Sequence, residues 1–162
     1  MKVSSGLLIA VLLGAGAGHA QDTRERDVSI SLGGGLAYDL VGLNLAYRAG
    51  HVEGFLGLGL LTLLPGASIG ARYFVRPDGT GFFMALNAAG HRGVFLDDQA
   101  TSGSLFWATV TPGYRLAIES SFLQVAIGGG VAYLFKTFDT PPSPTKRLVP
   151  ILDAMLALGF RF

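Results

Sequence analysis

Charged side chains are scarce in this chain of 162 residues, and several of them interrupt otherwise apolar stretches: Arg48, Glu53, Arg72, Arg76, Arg115, Asp153 and Arg161, with Glu119 beside a turn. Guanidinium and carboxylate groups drawn together away from water pair, fill space and make further hydrogen bonds, the first as donors and the second as acceptors. They line a narrow polar passage only if room is left between them. Asn44, Asn87, Thr109, Thr111 and Gln124 stand in the same alternate-residue phase and extend the set with neutral donors and acceptors. Groups suited to covalent or metal chemistry are fewer. There is no cysteine, and the only histidines beyond residue 20, His51 and His91, lack the spacing of a metal pair. His91 with Asp97, Asp98, Ser102 and Ser104 forms the one stretch holding both a base and a nucleophile. A solvated loop is the plainer reading of it. Asp97-Asp98 offers a calcium ion only two adjacent carboxylates, which is little. The Gly triplets at 33–35 and 128–130 precede neither a helix start nor a lysine, so neither is a phosphate cradle. The residues imply no metal, cofactor or catalytic group.

The elements that must position these side chains are strands. Reading back from the C-terminal residue, Phe160, Leu158, Leu156, Ala154 and Leu152 alternate with Arg161, Gly159, Ala157, Met155 and Asp153. A period of two places one set on each face of a strand. The same alternation recurs over Val28 to Tyr38, Val41 to Arg48, Val52 to Thr62, Ala67 to Arg76, Gly81 to His91, Leu105 to Ile118 and Phe122 to Lys136. With Leu148 to Phe162 that makes eight strands. In most of them the charged and amide side chains share a face with glycine, alanine and a few aromatics (Phe55, Phe74, Phe83 and Trp107), while most Leu, Ile and Val and all five tyrosines take the other. Gly54 to Ala71 runs 18 residues without a charge, the length of a membrane-spanning helix. Its five glycines and its Pro65-Gly66 divide it instead into two strands joined by a turn.

Half of the residues are hydrophobic and 14% are charged, against about 25% charged in ordinary soluble domains. Mean hydropathy is +0.49. Residues 1–20 read as a secretory signal peptide, with Lys2 ahead of a short apolar core and small residues around Gly18-His19-Ala20. Residues 21–162 are then a single domain. With 12 Lys and Arg against 11 Asp and Glu in the whole chain, loss of Lys2 leaves the two in balance, and nothing suggests nucleic acid as a partner.

Strands of this length cross a hydrocarbon layer when tilted, and an even number closes into a ring in which every backbone group is paired. The expected fold is all-β, an eight-stranded antiparallel up-and-down transmembrane β-barrel. Alternate connections are short: Ala49-Gly50-His51, Pro77 to Thr80, and Glu119-Ser120-Ser121. The two long connections, Arg92 to Ser104 and Thr137 to Arg147, fall together at the opposite end. Tyr38, Tyr47, Tyr73, Phe82, Phe106, Tyr114, Tyr133, Phe135, Phe160 and Phe162 share the apolar face and gather toward strand ends, as two membrane-interface girdles would. The inward charges are expected to plug the lumen, since eight strands leave space for side chains or one small ligand. Inward glycines (Gly33, Gly35, Gly57, Gly59, Gly128 and Gly130) fill little volume and leave a narrow pore or cavity open as an alternative. Leu105, Trp107, Leu134 and Ile151 offer an apolar upper pocket.

In this pattern the chain resembles small eight-stranded outer-membrane barrels of the OmpA/OmpX type. The resemblance implies a bacterial outer-membrane location, with lipid bilayer and lipopolysaccharide as surroundings. It also implies a C-terminal strand read by the outer-membrane assembly machinery, and a monomer with a structural or surface-interaction role. A narrow channel or a carrier of hydrophobic ligands is the second expectation, and a lipid A-modifying enzyme built on the outer loop with His91 is the third. Lipid A deacylases place a histidine near the last strands; here none follows His91. Short connections near Asp39 and Pro65-Gly66 argue against the protruding sheet of OmpX-like adhesion proteins.

Overall fold

The computed structural model describes residues 26–61, 64–96, 100–137 and 146–162. The expected leader, Asp97, Asp98 and the proline-rich stretch 138–145 lie outside the described residues. Eight strands follow in order: β1 (Arg26–Gly35), β2 (Leu40–Ala49), β3 (Val52–Leu61), β4 (Leu64–Phe74), β5 (Gly81–Leu96), β6 (Ala100–Ile118), β7 (Ser121–Thr137) and β8 (Lys146–Arg161). Each pairs antiparallel with the next and β8 returns to β1, closing the barrel.

The alternation in the sequence is the alternation of the two faces. On β2, Asn44, Ala46 and Arg48 are buried while Leu43, Leu45 and Tyr47 are exposed. On β8, Asp153, Met155 and Ala157 are buried while Leu152, Leu156 and Leu158 are exposed. The register fixes the tilt. Followed from Ser31 through Asn44, Gly57, Ser68, Ala89, Trp107 and Ala132, it arrives on β8 at Val149. Ser31 itself faces Gly159 across the seam, ten positions farther along. A stagger of that size inclines the strands steeply to the barrel axis.

Three connections differ from what the sequence predicts. First, β1 stops at Gly35, and Leu36–Tyr38 forms a 3-10 turn directed into the lumen. Its reversal uses left-handed backbone at Asp39 (φ 51) and Leu40 (φ 70). Tyr38, expected on the outer face, is therefore fully buried inside. The glycines expected to leave volume open are what admit this turn. A Cβ on Gly33 would meet the Tyr38 ring, and one on Gly59 would meet the Tyr38 carbonyl and the Asp39 side chain. Second, Pro65-Gly66 lies within β4 and not at its turn, since Leu61 already pairs with Leu64. Proline is tolerated there because pairing with β5 begins only at Gly66.

Third, the expected loop from Arg92 to Ser104 is mostly hairpin, with β5 and β6 paired up to Leu96 and Ala100. Its Val94, Phe95 and Thr101 favour extended backbone. The barrel wall is consequently uneven. β1 to β4 have 10 or 11 residues each, and β5 to β8 have 16 to 19. The far half rises as a sheet above the near half, so a protruding sheet does exist despite the two short connections.

Candidate functional site

The lumen collects nearly all buried polar side chains, in three levels. At the lower mouth, the end holding Arg26 and Phe162, Arg48 binds the Asp27 carboxylate through Nη2 at 2.6 Å and Nε at 3.2 Å. Its Nη1 donates to the carbonyls of Gly50 and Pro77. The turn between β4 and β5 is thereby drawn under the barrel, and Arg161 fixes its other side by donating to the Asp78 carbonyl at 2.8 Å. Within the turn, burial alone would raise the Asp78 carboxyl. Hydrogen bonds from the Thr80 hydroxyl and amide, with Arg76 and Arg161 nearby, outweigh it and hold Asp78 below its ordinary value.

The middle level is an arginine–carboxylate cluster. Glu53, fully buried, accepts from Arg72 Nη1 at 2.5 Å and from Arg115 Nη1 and Nη2 at 2.7 and 2.8 Å. Arg115 also donates to Gln124 Oε1 from Nε at 2.9 Å and from Nη2 at 2.6 Å. Aromatic faces cover the guanidiniums. Arg72 lies 4.0 Å from the Phe55 ring centre, and Arg115 lies 4.4 and 4.3 Å from those of Phe74 and Phe122. Ring faces carry negative potential, so stacking adds attraction where water is excluded. Bidentate pairing of Arg115 with Glu53 and the flanking rings pack the cluster across the lumen, while Arg72 holds Glu53 through Nη1 alone.

The upper level is the inward turn. The Leu36 amide donates to Asp153 Oδ1 at 2.9 Å, and Tyr38 shares a 2.8 Å hydrogen bond with Ser31. The Ala37 carbonyl accepts from Ser68 at 2.8 Å and Asn44 at 3.3 Å. Asp39, 1% exposed, sits 3.7 Å from His91 Nδ1. Trp107 Nε1 donates to the Leu36 carbonyl at 3.2 Å, and Ala89, Ala132, Leu36, Leu105 and Ile151 pack with it as an apolar group.

Of the expected lumen residues, Arg48, Glu53, Arg72, Arg115 and Asp153 are buried inside, and Arg161 is at the lower rim. Arg76 is not. It is exposed in the turn, because β4 ends at Phe74 and the alternation stops there. Glu119 is exposed in its turn, with φ 55. Asp27, Tyr38, Asp39 and His91 are lumen members that the sequence pattern places elsewhere. Asp27 had a signal, since it continues the inward phase of Ser29 and Ser31. His91 and Ser104 do not form a nucleophile and base. His91 faces inward, while Ser104 falls in the outward phase of Phe106.

On the outer face, Tyr47, Tyr73, Phe82, Tyr114 and Phe160 are exposed near lower strand ends, and Phe106 and Tyr133 are exposed higher up. Phe82 and Tyr114 meet edge to face at 4.9 Å, and Phe106 pairs with Tyr133 across β6 and β7. Phe162 is half-buried at the lower rim, and the side chain of Phe135 lies outside the described set. No protein-family model matches the chain, and no curated protein or solved structure matches it.

Proposed function

We propose that this chain is an integral outer-membrane β-barrel with a structural or surface-interaction role, non-enzymatic, its lumen a plug and not a pore. The observation that carries this reading is the inversion of its two faces. Leu56, Leu58, Ile69, Leu86, Ile127 and Leu158 are each 58% or more exposed, while Arg48, Glu53, Arg72, Arg115 and Asp153 are each 2% or less. Water would reject such an exterior, and a bilayer accepts it because closure pairs the backbone. Aromatics at two levels fit interfacial girdles. The plug is supported by three successive obstructions: the β4–β5 turn, the arginine–carboxylate cluster and the inward 3-10 turn.

On this reading the surroundings are the lipid bilayer and lipopolysaccharide, and the chain inserts as a monomer. Residues 1–20 are its export signal and β8 the strand offered to the assembly machinery. The sheet of β5 to β8 that rises above the barrel is the surface available to partners outside. Refolded protein in SDS should migrate differently before and after boiling, and in a planar bilayer it should give no discrete current steps. Reproducible steps from heat-modifiable protein would replace the plug with a channel.

A further inference from the structure

With its histidine neutral, the buried interior of the barrel is one charge out of balance. Among the described residues it holds three guanidiniums, Arg48, Arg72 and Arg115, against four carboxylates, Asp27, Glu53, Asp39 and Asp153. Three of the carboxylates have a donor fastened to them. Asp27 takes Arg48, Glu53 takes Arg72 and Arg115, and Asp153 takes the Leu36 amide. Asp39 is different. Neither of its carboxylate oxygens has a hydrogen-bond partner, and neither has His91 Nδ1, which lies 3.7 Å from Asp39 Oδ2. That is an ion-pair distance, longer than a hydrogen bond. A lone buried carboxylate is costly enough that it is neutralised or gains a counter-charge. One proton held between these two groups brings the interior to zero.

The surroundings of Asp39 leave the imidazole as its partner. Gly66 of β4 pairs with His91, and the Asp39 carboxylate fills the space that a side chain at Gly66 would need. Gly59 of β3 lies against Asp39 Cβ in the same way. The other titratable groups at the turn are engaged elsewhere: Asp153 of β8 with the Leu36 amide, and Tyr38 with Ser31 of β1. From β2, β4 and β6 the turn meets Asn44, Ser68 and Trp107, and β7 pairs Ala132 with Trp107, all without charge. Arg72 stands three inward positions below Gly66, on Glu53. The backbone adds a reason for a fastening here. Asp39 and Leu40 have φ of 51 and 70, and leucine keeps such a conformation only where its surroundings hold it.

We propose that Asp39 and His91 form a site for one proton, and that this proton latches the end of the inward turn to β5. With the proton in place the contact is charge-assisted and the lumen is neutral. Imidazoles titrate between about pH 5 and 8. As pH rises through that range the proton leaves, Asp39 becomes an unbalanced buried charge, and the turn loosens from β5. The sign is therefore fixed: fastened on the acid side, released on the alkaline side. The proposal stands on the lumen alone and does not depend on the membrane reading.

The chain's only tryptophan is Trp107, and its Nε1 is bonded to the turn at the Leu36 carbonyl, so its fluorescence reports the latch. Emission of the folded full-length barrel is recorded from pH 5.5 to 9. The expected result is a single reversible transition to longer wavelength as pH rises. Asp39→Asn removes the charge that needs the proton while keeping a residue that tolerates left-handed backbone. His91→Gln keeps a polar side chain that does not titrate. Each should leave emission flat across the range. His51→Gln is the control, because His51 stacks on Tyr73 at the lower end of the barrel, and its transition should match that of the unaltered protein. A flat profile in the unaltered protein would overturn the proposal, since no proton would then reach the turn. A transition that survives either Asp39→Asn or His91→Gln, or that His51→Gln removes, would place the titrating group elsewhere and overturn it equally.

Discussion

Glu53 is the residue on which the most charge depends. It is the shared acceptor of Arg72 and Arg115, and all three are almost wholly excluded from solvent. Removing one partner of a buried pair strands the other, and here the loss would strand two guanidiniums together. Glu53→Ala should lower the unfolding free energy by about 3–5 kcal/mol, read as a shift in the urea midpoint of protein folded in vesicles. A shift under about 1 kcal/mol, typical of an exposed pair, would mean water reaches the cluster. The identity of this cluster was legible because charge inside a period-two apolar segment has only one face to occupy. What was not legible was the pairing. Glu53 faces Arg48 and Arg72 in the register, yet it bonds Arg72 and Arg115. Arg48 turns down to Asp27 instead, a choice set by side-chain reach across the lumen.

At the scale of elements, the inward 3-10 turn is what converts a loosely filled barrel into a sealed one. It fits because β1, β2 and β3 present glycine where it passes. On Gly59→Val the new side chain would collide with the Tyr38 carbonyl, and overpacking of this kind costs about 1–3 kcal/mol. The turn would shift away from β3, taking the Leu36 carbonyl from Trp107, so the emission maximum of Trp107 should move along with the urea midpoint. Gly54→Val is the control. Its Cβ would meet nothing within 4 Å, and neither reading should change. Sequence periodicity revealed eight strands and both faces of each, since burial of one face imposes it. It missed this turn because Leu36, Ala37 and Tyr38 continue the alternation of β1 without a break. Only the positive φ at Gly35, Asp39 and Leu40 diverts the chain. Aspartate is among the few side chains that tolerate that region, but leucine is not. The hairpin above β5 and β6 was hidden for the opposite reason. Its polar tip masked residues of good strand propensity on either side.

For the molecule as a whole, the apolar belt sets where substitutions hurt. Ile127 and Ile118 are similarly exposed, at 70% and 76%, but Ile127 lies midway along β7 and Ile118 at the lower end of β6. In a bilayer, Ile127→Arg should cost about 2–4 kcal/mol and Ile118→Arg no more than about 1 kcal/mol. Equal costs in vesicle-based unfolding would remove depth as the cause and count against a membrane setting for this belt. The lower aromatic level was legible from strand direction alone; of the expected upper group, Phe106 and Tyr133 lie on the outer face, while Tyr38 turns inside. The unequal heights of the two halves were not, because they depend on a stagger that accumulates strand by strand around the ring.

That stagger also orders events in time. The seam between β1 and β8 joins the two most distant strands of the sequence, so its closure carries the largest loop entropy of any pairing in the barrel. It is also held by a short ladder, Ser29–Gly34 against Leu156–Arg161, where β6 and β7 are joined almost from end to end. The pairing that spans the longest stretch of chain is therefore also the shortest ladder among the described residues, and the barrel is a ring with a built-in clasp. Whatever folds it must hold β1 and β8 together long enough for that brief zipper to catch, and thermal opening is expected to begin at the same place.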